Sequence, residues 1–353
     1  MATYAPNLPE TMKAIHWTKI GKPAEILALD KHQPLPTLTG TNILVKVHAS
    51  ALNPVDWKLM KGGVPRFLMP KVKTPGLDIS GVVVGLGPKA GKSNKPGVQK
   101  FAIGDRVMAM LDFSKSGGLQ EYTLVDETIL VKTPAEWDAL AAAAFPLVGT
   151  TVYESLVIRG GIKKGDKVLV NGASGGTGSV AVQLATALGA AVVGVCSTPN
   201  VELVKKLGAA EVVDYTAAKV HEQYSNRDFD IILDTVGSDE LYATSGTLLK
   251  PSGQYIQIAG ADSAMDSPFH LLYSGLQILH KKLYGLLTRG AGYQLFTTFP
   301  NGANLATAAH ILVRVNATPT VAATFEFSLD QVLEAYKQSQ SGRARGKLVV
   351  TLQ

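Results

Sequence analysis

The chain has 353 residues, 46% hydrophobic and 18% charged, with 34 Lys and Arg against 28 Asp and Glu for a net charge of +6. That length suits two domains, or one nested in another, with a sizeable core. A single cysteine, Cys196, excludes a disulfide framework and a cysteine-rich zinc site. The N-terminal residues show no signal or transit-peptide pattern, so a reducing, cytoplasmic setting is expected. The basic residues are spread along the chain without interleaved aromatics, so no nucleic-acid partner is expected. The longest apolar stretch, Val180 to Cys196, is broken by Gln183, Thr186 and Gly189 and does not read as a membrane span.

Over the first ~140 residues, short β-like runs alternate with Pro/Gly turns, as in an all-β region. Strands are predicted at 42–52, 79–87 and 105–111, with a polar Gly/Pro-rich loop over 87–100. The pattern changes near Trp137. WDALAAAAF is helix-forming, Pro146 interrupts it, and VGTTVYESLVIRG resumes a helical pattern. Strands and helices then alternate. Strands are predicted at 167–171, 191–196, 211–214, 231–234, 254–259 and 282–287, with helical patterns at 178–188, 200–207 and 239–249. This alternation predicts a parallel sheet covered by helices on both faces, and six strands make a complete dinucleotide-type fold. From Val321 the chain returns to a β-like run, a helix over 329–340, a basic turn and a last strand, GKLVVTL. That strand is expected to rejoin the first domain.

In VLVNGASGGTGSVAVQLA, Gly172, Gly175 and Gly178 recur three apart, with Gly176 between the last two. Glycine permits positive φ and close backbone approach to a pyrophosphate. The following helix N-terminus offers free N–H groups and a positive dipole end. A strand before and a helix after favour a phosphate-binding turn over a plain tight turn. Ser174, Gly175, Gly176, Thr177 and Gly178 are therefore expected to hold the cofactor. The end of the second strand decides which cofactor. An acidic residue there would bind a ribose 2′-hydroxyl and repel a 2′-phosphate. The chain carries Cys196-Ser197-Thr198 instead, with Lys205 and Tyr215 able to approach. Hydroxyl donors at Ser197, Thr198 and Tyr215 and the missing carboxylate point to NADPH. Ser197 and Thr198 also suit a helix N-cap, and the two roles can coexist.

Several pieces now stand in order: ALNPVDWKLMKG, TPGLDISGVVVGLG, FAIGDRVMA, GGLQEY, AAAAFPLVGTTVYESL, the glycine turn, DTVGS and SGRARGKLVVTL. Together they resemble the medium-chain dehydrogenase/reductase superfamily, and most closely its quinone oxidoreductase-like and enoyl reductase-like branch. The resemblance implies an α/β fold, a Rossmann doubly wound parallel sheet inserted in a GroES-like β domain. The GroES-like catalytic domain would take residues 1–140 and 292–353, and the NADP-binding domain 141–291. The positions of the family's catalytic zinc ligands fall on Asn53, Leu77 and Leu147, none of which binds zinc. Histidines such as His16, His48, His221, His270, His280 and His310 are isolated, so no metal is expected.

Without a Lewis acid, oxidation of a simple alcohol is hard. Reduction of a double bond conjugated to a carbonyl needs only a hydride, a positioned substrate and donors for the developing enolate oxygen. The resemblance implies Asn53, Lys58 and Tyr153 as the catalytic candidates. Asn53 would bond the cofactor ribose or the substrate oxygen. Lys58 reads either as a donor or as a surface lysine, and Tyr153 as a proton donor or as a helix residue packed between domains. Asp56 is expected to support its loop. Fatty-acid-synthase-type relatives carry a lysine where this chain has Gly260, so water is left as a proton source. Ile258, Ala259 and Gly260 are expected to border the nicotinamide, and Thr151 and Lys347 to add cofactor contacts. The substrate pocket is expected in the cleft between the domains, lined by 57–67 and 268–284. The latter segment equally suits a dimer interface, so monomer and homodimer both stand. The expected activity is zinc-independent, NADPH-dependent reduction of quinones or of the C=C bond of enones, with a small-molecule enone or quinone as partner. The alternatives are a non-catalytic NADPH-binding adaptor or RNA-binding family member, and a trans-acting enoyl-thioester reductase.

Overall fold

A computed structural model describes residues 1–62, 70–92, 97–115, 117–258 and 292–352. Two units divide the chain: Met1–Thr150 with Phe299–Val313 and Thr318–Gln353, and Thr151–Thr298 with Arg314–Ala317.

In the first unit the strands are Thr3–Tyr4 (β1), Thr11–His16 (β2), Ala28–Pro34 (β3), Asn42–Leu52 (β4), Asp78–Leu86 (β5), Arg106–Met110 (β6), Tyr122–Asp126 (β7) and Leu130–Lys132 (β8). Helices Pro23–Ile26 (α1), Pro54–Met60 (α2) and Ala139–Ala144 (α3) lie among and after them, and Pro146–Tyr153 (α4) crosses the boundary. β4 is long because it serves three neighbours. One edge pairs β5; on the other, residues 42–46 pair β7 and residues 49–52 pair the chain's last strand. Ile43, Val45, Val47, Ile79, Val83 and Val107 face one core and are almost wholly buried.

The second unit holds Lys167–Asn171 (β9), Gly176–Ala187 (α5), Ala191–Cys196 (β10), Val201–Lys206 (α6), Glu211–Asp214 (β11), Val220–Gln223 (α7), Phe229–Asp234 (β12), Asp239–Leu248 (α8), Leu249–Gln257 (β13) and Gly292–Leu295 (β14). All six strands are parallel, in the order β11-β10-β9-β12-β13-β14. This is the doubly wound 3-2-1-4-5-6 arrangement, whose strand order reverses beside β9, where such sheets take their ligands. Val168, Leu169 and Val170 are fully buried, as the continuous apolar run of a strand covered on both faces requires. The strand expected at 282–287 lies outside the described residues, and the sixth place in the sheet belongs to Gly292–Leu295. After α4 the helix widens to π geometry over Glu154–Arg159.

The chain then re-enters the first unit through a helix over Gly302–Val313 (α9), followed by Val321–Glu326 (β15), Leu329–Gln340 (α10) and Lys347–Thr351 (β16). β16 pairs β4 antiparallel and β15 parallel, so the last strand does rejoin the first sheet. No helix among the described residues is long and apolar enough to cross a membrane.

Candidate functional site

Each unit carries its own cluster of chemistry. In the second, β9 ends at Asn171 and the chain turns at Gly172, whose φ of 79° favours glycine. The N–H groups of Gly172 and Ala173 both donate to Val195 O, at 3.2 and 2.9 Å, tying the turn to β10. A Cβ on Gly178 would run into the backbone of Gly172, so this glycine serves the packing of helix on turn. Gly175 differs. Its φ is −76°, and a Cβ there would meet only Gly172 O at 3.4 Å. The fold alone does not require glycine at 175; a Cβ would fill an open cradle. Gly175 is also the N-cap of α5 and has no side chain to cap it. The first-turn N–H groups of Gly176, Thr177 and Gly178 are therefore left to an outside acceptor. An open cradle under a helix N-terminus fits the pyrophosphate of a dinucleotide. Ser174 lies half-buried within the turn.

At the end of β10, Ser197 Oγ accepts from Asn200 Nδ2 at 3.1 Å rather than capping the short helix that follows. Thr198 Oγ1 and Thr216 Oγ1 lie 2.9 Å apart, and Tyr215 is 62% exposed. Lys205 pairs with Glu202 at 3.0 Å on its own helix. The sequence reading missed Asp214. It ends β11 in register with Cys196, and its Oδ1 accepts from Thr216 N at 3.0 Å and Thr216 Oγ1 at 2.6 Å. The hydroxyls of Thr198 and Thr216 hold its carboxyl below the usual range. The acid absent from β10 is thus present one strand over.

Asp234 closes β12 and is wholly buried. Its Oδ1 accepts from Asn171 Nδ2 (2.9 Å), Val236 N (3.0 Å) and Gly237 N (2.9 Å). Its Oδ2 accepts from Ser238 N (2.8 Å) and Tyr255 Oη (2.7 Å). This single carboxylate shapes the loop between β12 and α8 and ties β12 to β9 and β13. The DTVGS motif carried the signal, an Asp followed by the small residues of an Asp-led turn. Ile258 N donates to Asp234 O at 3.1 Å, whereas Ala259, Gly260 and the 268–284 segment lie outside the described residues. Thr151 is buried, and its carbonyl accepts from Ser155 Oγ at 2.7 Å. Tyr153 is half-buried at the end of α4.

In the first unit Asn53 is the N-cap of α2 and only 2% exposed. Its amide is committed at both ends. Nδ2 donates to Asp78 Oδ2 at 2.9 Å, and Oδ1 accepts from Lys347 Nζ. Lys347 Nζ also reaches Asp78 Oδ2 at 3.0 Å, and its side chain is 5% exposed. Asn53's amide and Lys347's ammonium, expected on the cofactor or substrate, bond each other and Asp78 in this structure. Leu77 is buried, and Leu147 offers Asp78 Oδ1 its backbone N–H at 2.7 Å. Asp56, 2% exposed, accepts from Asn53 N at 2.8 Å and Gly76 N at 3.1 Å, which supports the loop. Burial pushes its carboxyl up to about 6, against the pull of those two N–H groups. Burial raises Asp78 too, opposed by the Lys347 ammonium. Lys58 is half-buried on α2, its Nζ 5.6 Å from the centroid of the Trp57 ring. Among the described residues no group of three or more His, Cys, Asp or Glu is placed to hold a metal ion.

Comparison with known proteins supplies the context. The alcohol dehydrogenase GroES-like domain model matches residues 39–135, and a model described as zinc-binding dehydrogenase matches 207–350. The chain is 31% identical over 360 residues to the trans-enoyl reductase pgmF of Aspergillus terreus, covering 99% of this chain and 98% of that one. It is 31% identical over 347 residues to the 2-methylene-furan-3-one reductase of Solanum lycopersicum, covering 98% and 80%. Among solved structures, the quinone oxidoreductase from Coxiella burnetii superposes with a TM-score of 0.78 at 25% identity, covering 97% of this chain and 99% of that one.

Proposed function

From a chain that belongs to the medium-chain dehydrogenase/reductase superfamily, in its zinc-independent quinone oxidoreductase-like branch, we propose an NADPH-dependent reductase of α,β-unsaturated carbonyls or quinones. One observation carries the reading. An open glycine cradle under the N-terminus of α5 stands in a chain whose expected metal-ligand positions hold Asn53, Leu77 and Leu147. A nicotinamide cofactor supplies the hydride. The chain's own residues do the remaining work. Gly175 lets the backbone approach the pyrophosphate, and the N–H groups of residues 176–178 and the helix dipole offset its charge. Ser197, Thr198 and Tyr215 are the hydroxyl donors assigned to the 2′-phosphate end. With no Lewis acid to stabilise an alkoxide, the favoured reaction leaves its charge on a carbonyl oxygen as an enolate. A placed ammonium or hydroxyl stabilises such a charge. With Asn53 committed elsewhere, Lys58 is the donor assigned to that oxygen, and water delivers the proton to the α-carbon. The names of the two relatives, an enoyl reductase and a furanone reductase, support C=C reduction ahead of alcohol oxidation.

The test is NADPH consumption, with NADH as control, against a quinone, an α,β-unsaturated ketone, a 2-alkenal and a crotonyl thioester. Turnover of one acceptor well above the others with NADPH is expected. Tight NADPH binding with no turnover of any acceptor would replace this reading with that of a cofactor-binding protein.

A further inference from the structure

Four stretches of the first unit are tied together through Lys347 and Asp78. Lys347 opens β16, Asn53 joins the end of β4 to α2, Asp78 opens β5, and Leu147 lies in the first turn of α4. Asp56, in the same stretch as Asn53, bonds both Asn53 N and the loop at Gly76 N. Lys347 and Asn53 are 294 positions apart, and Lys347 and Asp78 are 269 apart. The contacts are directional. Asp78 Oδ2 takes Lys347 Nζ and Asn53 Nδ2, and its Oδ1 takes Leu147 N. All three charged side chains are at most 5% exposed. Burying such ions is costly, and apolar residues of similar size often hold a fold at least as well. Tyr336 Oη, also buried in this unit, has no hydrogen-bond partner among the described residues. The arrangement is therefore poorly explained by stability alone. It resembles the work of a bound cation, which gathers ligands from separate segments at a fixed geometry. Two of the segments include positions 53 and 147, and Asp78 follows position 77, the three positions expected to match the family's zinc ligands and held here by Asn53, Leu147 and Leu77.

We propose that Lys347 is a positioning residue, a built-in cation that cross-links these segments and so fixes α2, and with it Lys58, for the reaction. The proposal rests on the reductase reading for the reaction served, but the clamp can be tested apart from turnover. Lys347→Met leaves Asp78 buried and unpaired, and the midpoint of thermal unfolding should fall by about 10 °C. Lys347→Met with Asp78→Asn removes both charges, while the amide oxygen still accepts from Leu147 N; most of that fall should be recovered. In the double variant kcat should nonetheless stay at least about tenfold below wild type, with the Kd for NADPH within about threefold, because the positioning cation is gone. Lys347→Ala should regain both midpoint and kcat when propylammonium is supplied, and not with propanol. Recovery of kcat together with stability in the double variant would overturn the proposal, leaving a purely structural pair. A large rise in the Kd for NADPH in Lys347→Met would overturn it too, since Lys347 would then touch the cofactor. If the wild type reduces no acceptor, the reductase reading fails by itself. The clamp is then decided by the thermal midpoint of Lys347→Ala: recovery with propylammonium sustains it, and no recovery overturns it.

Discussion

Replacing Gly175 by alanine separates cofactor binding from folding. The backbone at 175 has φ −76° and ψ 173°, an ordinary extended conformation for alanine, and the added methyl meets only Gly172 O at 3.4 Å. Two small effects on stability oppose each other. Glycine to alanine at a compatible site stabilises by about 0.4–1 kcal/mol through the unfolded chain, while alanine is a poorer N-cap by about 0.5–1 kcal/mol. The net is near zero, so the thermal midpoint without cofactor should move by no more than about 3 °C. Binding should behave differently, because the methyl stands where a pyrophosphate oxygen would approach the helix N-terminus. Losing one charge-assisted hydrogen bond costs about 1.5–3 kcal/mol, a rise in Kd of about ten- to hundredfold. Fluorescence titration with NADPH reads the Kd, and differential scanning fluorimetry reads the midpoint with and without cofactor. Gly178→Ala is the control. Its Cβ would collide with the backbone of Gly172, so it should lower the midpoint of the protein without cofactor. If Gly175→Ala binds NADPH as wild type does, this turn is not the pyrophosphate site, and the reasoning from the open cradle is wrong.

Three further outcomes follow from the same geometry. Asp56, raised from 3.8 to about 6, binds its proton more readily folded than unfolded. Its ionisation therefore destabilises the fold by about 3 kcal/mol above pH 6, and this is relieved as pH falls through 6 towards 4. Relative to Asp56→Asn, wild type should lose stability between pH 5 and pH 8, and a constant difference in midpoint across that range would refute this. Asp214→Asn removes an ionised carboxylate hydrogen-bonded to Thr216 beside Thr198. The preference for NADPH over NADH should rise about three- to fivefold, and an unchanged ratio of kcat/KM values would place the 2′-phosphate elsewhere. Lys58→Met should lower kcat about a hundredfold with the KM for NADPH unchanged; near-normal kcat would remove Lys58 from the reaction.

What the sequence made legible was local. Asn42–Leu52 and Leu329–Gln340 were readable to the residue because each is bounded by turn or cap residues and carries its own periodicity. The glycine turn was readable because strand, turn and helix are consecutive. The sixth place in the sheet shows the limit: GYQL carries little strand signal of its own, and only its register with Gln254–Gln257 places Gly292–Leu295 there. The helix over Gly302–Val313 also escaped the reading.

Lys347 shows why the site was harder to read than the fold. In SGRARGKLVV it looks like one more cation of an exposed basic turn, and resemblance assigned it to the cofactor. Only the pairing of β16 with β4 brings it to Asn53 and Asp78. Once there, the ammonium donates to the Asn53 amide oxygen, while Asn53 Nδ2 donates to Asp78. A buried charge is constrained by every neighbour it must satisfy, so its role is a tertiary property with no local signature. The glycines at 175 and 178 make the complementary case. The letters are identical, yet a Cβ collides at 178 and makes only one ordinary contact, with Gly172 O, at 175. A sequence pattern marks where a backbone is special, and the packing around it decides whether the reason is the fold or the ligand.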